Sequence, residues 1–177
     1  MRVVAGSLKG KAFKELHKHR MHPMGEKIRG ALFNVLGDIE GLTLLDTFAG
    51  SGAISFEAAS RGAKEVVAIE KDKAAHAMAS QNAKELKIKS VHIVRANTAG
   101  WSIHNMERKF DIVVMDPPFG DMQEELLKKL ISRHVKKGGV VVLSAPGKYE
   151  VPDFAKTEKL VQKNYGDAQL VFYRKIG

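Results

Sequence analysis

The sequence predicts an α/β fold with a seven-stranded, mostly parallel sheet and helices on both faces. From residue 42 onward, short β-like runs alternate with stretches whose apolar residues recur at helical spacing. The first β-like run leads into a glycine-rich turn and a helical pattern, which is typical of the strand–turn–helix units of parallel sheets. The chain has 177 residues, of which 44% are hydrophobic, so it can fill the core of one domain.

The chain is predicted to form a single domain over residues 1–177. Residues 39–177 form the α/β core, and residues 1–38 form a short basic extension made of a hairpin and a helix. The pattern predicts these strands: Leu42–Leu45, Glu65–Ile69, Val91–Arg95, Phe110–Met115, Val140–Leu143, Gln169–Tyr173 and a weaker one at Lys159–Gln162. Helices are predicted at Ala53–Ser60, Asp72–Leu86 and Met122–His134, and Gly138-Gly139 is predicted to be a break.

The N-terminal extension carries small residues and then a helical pattern. The stretch "RVVAGSLKGKAFKELH" indicates a short hairpin, because its glycines and small residues suit turns. After Pro23, the spacing of Ile28, Leu32, Val35 and Leu36 puts these side chains on one face of a helix. This helix is expected to dock beside the first strand.

Positive charge is concentrated near the N-terminus. The formal net charge is +9, and residues 1–29 hold eight Lys/Arg against two Glu, whereas residues 30–60 hold four acids and no Lys or Arg. Such a segment suits contact with phosphates, and it equally suits a solvated arm that maintains solubility. Charge alone leaves both interpretations open.

Composition excludes several classes of site. The chain has no cysteine, so disulfides, cysteine nucleophiles and cysteine zinc sites are excluded. His17, His19 and His22 match no established ligand spacing, so no metal site is predicted. No apolar stretch approaches the roughly 20 residues that span a bilayer, and no signal-peptide pattern opens the chain. The protein is expected to be cytoplasmic.

The turn "LLDTFAGSGAISFEAA" predicts a ligand site. Gly50 and Gly52 allow a sharp turn and a close approach of a ligand, and Ser51 is a candidate cap for the following helix. Ser55 stands where the dinucleotide fingerprint has a third glycine. Asp46 precedes the turn, and a carboxylate there suits a ligand with an ammonium group better than a pyrophosphate.

A second acid ends the next strand, in "VVAIEKD". A carboxylate in the position of Glu70 can accept hydrogen bonds from both ribose hydroxyls. Asp46, the glycine turn and Glu70 together favour a nucleoside-like cofactor.

The fourth strand ends in Asp116-Pro117-Pro118-Phe119, which suits a planar base with an exocyclic amine. The Asp116 carboxylate and the Pro117 carbonyl can accept N–H bonds from the amine, and the proline rings fix the backbone. Phe119 can stack on a base that has left its helix or loop. The simpler alternative is a strand terminator with an incidental acid.

The motifs "DTFAGSG" and "DPPF" resemble those of S-adenosylmethionine-dependent methyltransferases of the Rossmann-like class that act on exocyclic amines. The whole chain, from "RVVAGSLKGKAF" to "YGDAQLVFYR", is similar to the bacterial RsmD-like enzymes that methylate a guanine N2 of 16S ribosomal RNA. One departure is His22-Pro23-Met24, where the usual pattern is Arg-Pro-Thr. The resemblance also includes Asn82, to which no role is assigned.

The resemblance implies S-adenosylmethionine as cofactor and gives each motif a role. The implied cofactor residues are Asp46, Gly50 and Gly52 on the methionine side, Glu70 at the ribose and Asn97 near the adenine. Phe48, inside the glycine turn, is expected to pack beneath the cofactor loop. The implied catalytic residues, which receive the target guanine, are Asp116, Pro117, Pro118 and Phe119. The basic candidates for RNA contact are Arg2, Lys9, Lys11, Arg20 and Arg29.

The predicted function is therefore guanine-N2 methylation of 16S rRNA by a monomer, within an assembling or assembled small ribosomal subunit. An adenine-N6 methyltransferase acting on DNA or RNA is the nearest alternative, because D-P-P-F accommodates either amine. A non-catalytic RNA-binding protein and an NAD-dependent oxidoreductase are further alternatives. The former gives no reason for Asp46, Glu70 and D-P-P-F to occur together, and Ser55 argues against the latter.

Overall fold

The computed structural model describes residues 1–16 and 24–177, which form a seven-stranded sheet and five helices. The chain divides into two compact units, Met1–Thr98 and Ala99–Gly177. Within the first unit the strand order is β3-β2-β1, and within the second it is β4-β5-β7-β6. The single-domain organisation stays a prediction, and each unit is described separately below.

The first unit contains three helices and three strands in alternation after the N-terminal segment. Their bounds are α1 Glu26–Leu36, β1 Thr43–Asp46, α2 Ala53–Ser60, β2 Glu65–Glu70, α3 Lys73–Glu85 and β3 Val91–Arg95. The three strands are parallel, with Asp46 opposite Ala68 and Glu70 opposite Arg95. Parallel pairing brings the carboxyl ends of β1, β2 and β3 to one edge of the sheet.

The apolar runs of this unit form its core because the central strands are covered by helices. The side chains of Leu44, Leu45, Val66 and Ile69 are almost completely buried. The helix α2 packs on all three strands, and α3 packs on β2 and β3. Continuous apolar strands of this kind are expected where both faces of a parallel sheet are buried.

The N-terminal residues 1–16 form an antiparallel turn that packs on α2. Arg2 pairs with Ala12, and the backbone N–H of Val3 donates to the Lys11 carbonyl at 2.9 Å. Phe13 meets Phe56 of α2 edge to face, with ring centroids 5.3 Å apart. The segment is therefore attached to the first unit by apolar packing as well as by hydrogen bonds.

The second unit contains α4 and α5 and four strands, of which the last two are antiparallel. After α4 Thr98–His104 come β4 Phe110–Met115, α5 Glu124–His134, β5 Val135–Pro146, β6 Thr157–Asn164 and β7 Ala168–Lys175. β4 and β5 are parallel, whereas β7 pairs antiparallel with both β5 and β6. The prediction of a seven-stranded, mostly parallel sheet is confirmed, including the weak strand, which is β6.

Two details differ from the sequence prediction. Gly138 and Gly139 do not break the chain but lie inside β5, where Val135 and Val140 oppose Phe110 and Ile112. Between these two pairs β5 has four residues, 136–139, where β4 has only Asp111, so β5 bulges at this point. The bulge needs glycine, because Gly138 has φ +81° and a Cβ on Gly139 would lie 2.9 Å from two carbonyl oxygens.

The second difference is α4, which the sequence pattern did not predict. Its seven residues, "TAGWSIH", include a glycine and β-branched side chains and have weak helix propensity. Trp101 is buried and lies 5.1 Å from the His134 ring and 6.4 Å from the Phe110 ring. Tertiary packing of Trp101 thus stabilises a helix that local preference does not.

Across the two described stretches, 1–16 and 24–177, we find no helix with the length and apolar character needed to cross a membrane.

Candidate active site

Asp46 ends β1 as a buried carboxylate that is held by a serine of the next helix. The Ser55 hydroxyl donates to Asp46 Oδ2 at 2.8 Å, and both side chains are fully buried. Ser55 is the residue that replaces the third glycine of a dinucleotide fingerprint. Its hydroxyl orients the carboxylate, so the departure from the fingerprint has a structural role.

The glycine turn that follows Asp46 is shaped by packing from below. Gly52 has φ +92° and is the N-cap of α2, without any side-chain cap, so the predicted capping by Ser51 is wrong. A Cβ on Gly52 would lie 2.6 Å from the Phe56 ring. The missing side chain therefore makes room for Phe56, and the close approach of a ligand to this turn stays a prediction.

Glu70 ties the end of β2 to this turn. Its Oε2 accepts from the Gly50 backbone N–H at 2.7 Å, and its Oε1 accepts from the Asp72 N–H at 2.8 Å. These bonds fix the carboxylate, while each oxygen keeps a further lone pair for a ligand hydroxyl. Asp72 in turn caps α3 by accepting from the Ala75 N–H at 2.8 Å.

The end of β3 also reaches the glycine turn. The Thr98 hydroxyl donates to the Thr47 carbonyl at 2.5 Å, next to Phe48. Asn97 is exposed and Phe48 is half-buried. The first unit therefore brings together the following predicted cofactor residues at one sheet edge: Asp46, Phe48, Gly50, Gly52, Glu70 and Asn97.

The D-P-P-F segment lies directly after β4 in the second unit. Asp116 is half-buried, and burial raises the pKa of its carboxyl to about 6 against the lowering effect of a hydrogen bond with Ser144. Pro117 is buried, and the Pro118 carbonyl accepts from the Asp121 N–H at 2.9 Å, which closes a turn. Phe119 is 43% exposed. A large aromatic side chain so exposed beside a partly desolvated carboxylate is suited to stacking on a base.

Ser144 is a site residue that sequence reasoning missed. It is buried in β5, one position after the pair Met115–Leu143, so the parallel register brings it beside Asp116. The available signal was a polar residue that ends the apolar run "VVVLS". That signal alone does not identify a site residue, because strand pairing decides which side chain lies next to the serine.

The predicted RNA contacts divide into exposed and buried cations. Arg2, Lys9 and Lys11 are exposed on the N-terminal segment, and Arg20 lies outside the described residues. Arg29 is fully buried: its Nε lies 3.3 Å from Glu57 Oε1, and its Nη2 donates to the Arg2 carbonyl. In this structure Arg29 therefore positions the segment and presents no charge to solvent.

Glu57 is the centre of this attachment. Its carboxylate accepts from the Val4 and Ala5 N–H groups at 2.8 and 3.0 Å, and from Arg61 Nε at 3.0 Å. A buried charge of this kind is tolerated because its oxygens are saturated with donors, and loss of one partner costs about 3–5 kcal/mol.

Asn82 has a similar role on α3. Its amide exchanges two hydrogen bonds with the Lys14 backbone, at 2.7 and 3.0 Å. The structure thus gives a function to the asparagine that the sequence left without one, namely fixing the far end of the N-terminal segment.

In the part of the chain that is described, no group of three or more His, Asp or Glu side chains is arranged to hold a metal ion. His17, His19 and His22 lie outside the described residues. His134 is fully buried and contacts the Ser102 hydroxyl at 2.8 Å and the Arg108 carbonyl at 2.8 Å.

Several known proteins are similar to this chain over most of its length. The chain is 29% identical to "Putative rRNA methyltransferase YlbH" of Bacillus subtilis, over all of both chains. It is 31% identical to "Ribosomal RNA small subunit methyltransferase D" of Buchnera aphidicola (Acyrthosiphon pisum), over 84% of this chain and 80% of the relative. Among solved structures, "Putative methyltransferase yhhF from Escherichia coli" matches with a TM-score of 0.89 and 26% identity, over 99% of this chain and 98% of that one.

These neighbours confirm the predicted Rossmann-like methyltransferase fold and the resemblance drawn from the motifs. The family model described as "Conserved hypothetical protein 95" matches residues 1–174, almost the full length. The chain belongs to the Conserved hypothetical protein 95 family.

Proposed function

We propose that this chain transfers a methyl group from S-adenosylmethionine to the exocyclic N2 amine of a guanine in 16S ribosomal RNA. Family membership and the rRNA methyltransferase names of the relatives support the enzyme class and the RNA substrate. The guanine N2 target is the finer part of the proposal. The observation that carries transfer to an exocyclic amine is Asp116, a half-buried carboxylate next to two prolines and an exposed phenylalanine. The choice of guanine N2 over adenine N6 rests on the similarity of most of the chain to ribosomal RNA small subunit methyltransferases.

The donor set of the first unit fits this cofactor. Asp46 is a buried carboxylate, which suits the ammonium group of a methionine moiety, and Glu70 offers fixed acceptors to ribose hydroxyls. Asn97 is exposed at the adjacent strand end, where its amide can hydrogen-bond an adenine. When bound, the cofactor supplies an activated methyl group on a sulfonium.

The second unit supplies the groups that receive the amine. The Asp116 carboxylate and the Pro117 carbonyl accept its two N–H bonds, which directs the nitrogen lone pair away from both acceptors. The same acceptors would stabilise the positive charge that develops on the nitrogen as the N–C bond forms and the S–C bond of the sulfonium breaks to leave a neutral thioether. The extra N–H proton would then pass to the Asp116 carboxylate or to solvent. Phe119 stacks on the ring and holds its plane, so that most of the acceleration comes from positioning.

Asp116 acts in its ionised form. With a pKa of about 6, the carboxyl is mostly ionised at neutral pH, and it has more proton affinity than an ordinary aspartate. This combination suits a group that must accept a hydrogen bond from a nitrogen that becomes acidic during the reaction.

The setting proposed for this activity is a small ribosomal subunit, assembling or assembled, in the cytoplasm, with the protein acting as a monomer. The exposed cations Arg2, Lys9 and Lys11 would contact phosphates, which makes RNA binding fall with rising salt. Arg29 contributes indirectly, by fixing the backbone that carries Arg2.

The test uses S-adenosylmethionine with a labelled methyl group and three acceptors: naked 16S rRNA, small ribosomal subunits and duplex DNA. Digestion of the product to nucleosides identifies the methylated atom. We expect labelled N2-methylguanosine from rRNA or from subunits.

Other outcomes would revise the proposal. Labelled N6-methyladenosine would keep the chemistry and overturn the guanine target. Methylation of DNA alone would overturn the RNA substrate. Cofactor binding without transfer to any of the three acceptors would contradict the proposed activity.

A further inference from the structure

A second concentration of cations lies in the second unit, at the end of the sheet opposite D-P-P-F. Lys109 immediately precedes β4, whereas Lys136 and Lys137 lie near the start of β5. Because β7 runs antiparallel to β5 and β6 to β7, the end of β7 and the start of β6 reach the same edge. We call this the amino-end basic surface. Its exposed cations are Lys109, Lys136, Lys137, Lys156 and Arg174, beside the half-buried Arg108 and Arg133 and the buried Lys175.

Several of these cations are held in place by backbone carbonyls. Lys109 Nζ donates to the Arg133 carbonyl at 3.0 Å, and Arg174 Nη1 donates to the Gly138 carbonyl at 2.9 Å. Lys175 Nζ donates to two carbonyls at the end of α5, both at 3.0 Å. Carbonyl oxygens order these side chains without neutralising their charge.

The cations lie close enough to influence one another. Burial, together with the charges of Lys109 and Lys156, lowers the pKa of Lys175. The segments that form this edge carry a net side-chain charge of +5, from eight Lys/Arg and the three acids Glu107, Asp111 and Glu158. These segments are residues 107–111, 132–138, 156–158 and 174–177. Of the acids, Asp111 is already paired with Lys136 at 3.1 Å.

Like charges held together raise the free energy of the folded protein, and an anionic partner lowers it again. The surface is spread along a sheet edge. That distribution fits a polyanion with regularly repeated charges better than it fits a single small anion.

We propose that the amino-end basic surface binds the phosphate backbone of the RNA substrate at a distance from the target base. The inference rests on the proposed function for the identity of the RNA. β4 has six residues, so about 20 Å of strand separates this surface from Asp116. The RNA that reaches both places must extend at least that far.

The test compares two triple variants that lose the same charge. The first replaces three exposed lysines of the surface, Lys109→Gln, Lys137→Gln and Lys156→Gln. The control replaces three exposed lysines of the first unit, Lys64→Gln, Lys84→Gln and Lys89→Gln. The affinity for naked 16S rRNA is measured over a series of salt concentrations, and the melting temperature and cofactor Kd are measured in parallel.

For the surface variant, we expect the slope of log K against log salt to fall by about 2, since each lost phosphate contact contributes roughly 0.7–0.9. For the control, we expect a fall of less than half as much. Equal effects of the two variants, or no effect of the first, would overturn the proposal. If the surface variant lost affinity for ribosomal subunits but kept its affinity for naked rRNA, the proposal would also be overturned. That result would indicate an acidic protein surface as the partner.

Failure of the proposed function gives a different result. If the wild-type protein methylates no RNA, that function fails, yet the difference in salt slope between the two variants still decides whether this surface binds RNA.

Discussion

Two aspartates, one in each unit, show how similar local arrangements serve different tasks. Asp46 ends β1 and Asp116 follows β4, and each is hydrogen-bonded to a buried serine, Ser55 or Ser144. Asp46 is fully buried, whereas Asp116 is half-buried and adjoins the exposed Phe119. The first arrangement suits a charged group of the cofactor that is held away from water, and the second suits a base that enters from solvent.

The largest expected effect comes from removing the second carboxylate. We expect Asp116→Ala to lower kcat about 10²–10³-fold, because an acceptor of the transition-state charge is lost. Cofactor Kd should stay unchanged, as measured by calorimetry. Asp121→Ala, in the same loop, is the control, since Asp121 is exposed and the substitution keeps its backbone N–H bond to the Pro118 carbonyl. A normal kcat in Asp116→Ala would remove Asp116 from the mechanism.

The corresponding change in the first unit should act on binding. Asp46→Asn keeps the shape of the side chain and removes its charge, so a charge-assisted hydrogen bond of about 1.5–3 kcal/mol is lost. We expect cofactor Kd to rise about 10–150-fold, with a much smaller change of kcat at saturating cofactor. Glu85→Gln, on the exposed face of α3, is a matched loss of one negative charge. If Asp46→Asn lowered kcat alone, the proposed division of tasks would be incorrect.

The serine behind Asp46 should have a milder effect. Ser55→Ala removes one neutral donor to a carboxylate that keeps its charge. A hydrogen bond of about 0.5–1.5 kcal/mol corresponds to a roughly 2–12-fold rise of cofactor Kd. Ser55→Thr retains the hydroxyl and should restore part of the affinity. An unchanged Kd in Ser55→Ala would show that Asp46 is oriented by other contacts.

The serine behind Asp116 should have the smallest effect at neutral pH and a distinct effect on the pH profile. Because Asp116 acts ionised, the rate should fall as the pH drops through about 6. Ser144 lowers this pKa, so Ser144→Ala should move the acidic limb of kcat to higher pH. Ser144→Thr is the conservative control. An acidic limb that stays in place in Ser144→Ala would exclude Ser144 as a positioning residue, since a purely structural role does not move it.

Much of the fold follows from patterns within short stretches. The strands at Val91–Arg95 and Phe110–Met115 and the helix at Ala53–Ser60 have the predicted bounds, because apolar runs and helical spacing are local properties. The break predicted at Gly138 and Gly139 was wrong, because glycine occurs at irregularities inside a strand as well as at the end of a strand. α4 was missed because its stability comes from the packing of Trp101.

The candidate site likewise combines features that the local sequence predicted with features that depend on tertiary packing. The sequence by itself determined the seven strands and the helices other than α4, and it placed Asp46, Glu70 and D-P-P-F at strand ends, because hydrophobic period and turn chemistry are encoded locally. Only the tertiary structure decided which groups support them: Ser144 beside Asp116, Phe56 beneath Gly52, and the burial of Arg29. Arg29 and Glu57 are 28 residues apart, and Asn82 and Lys14 are 68 apart. Contacts over such separations depend on how strands and helices pack, and no local pattern specifies them.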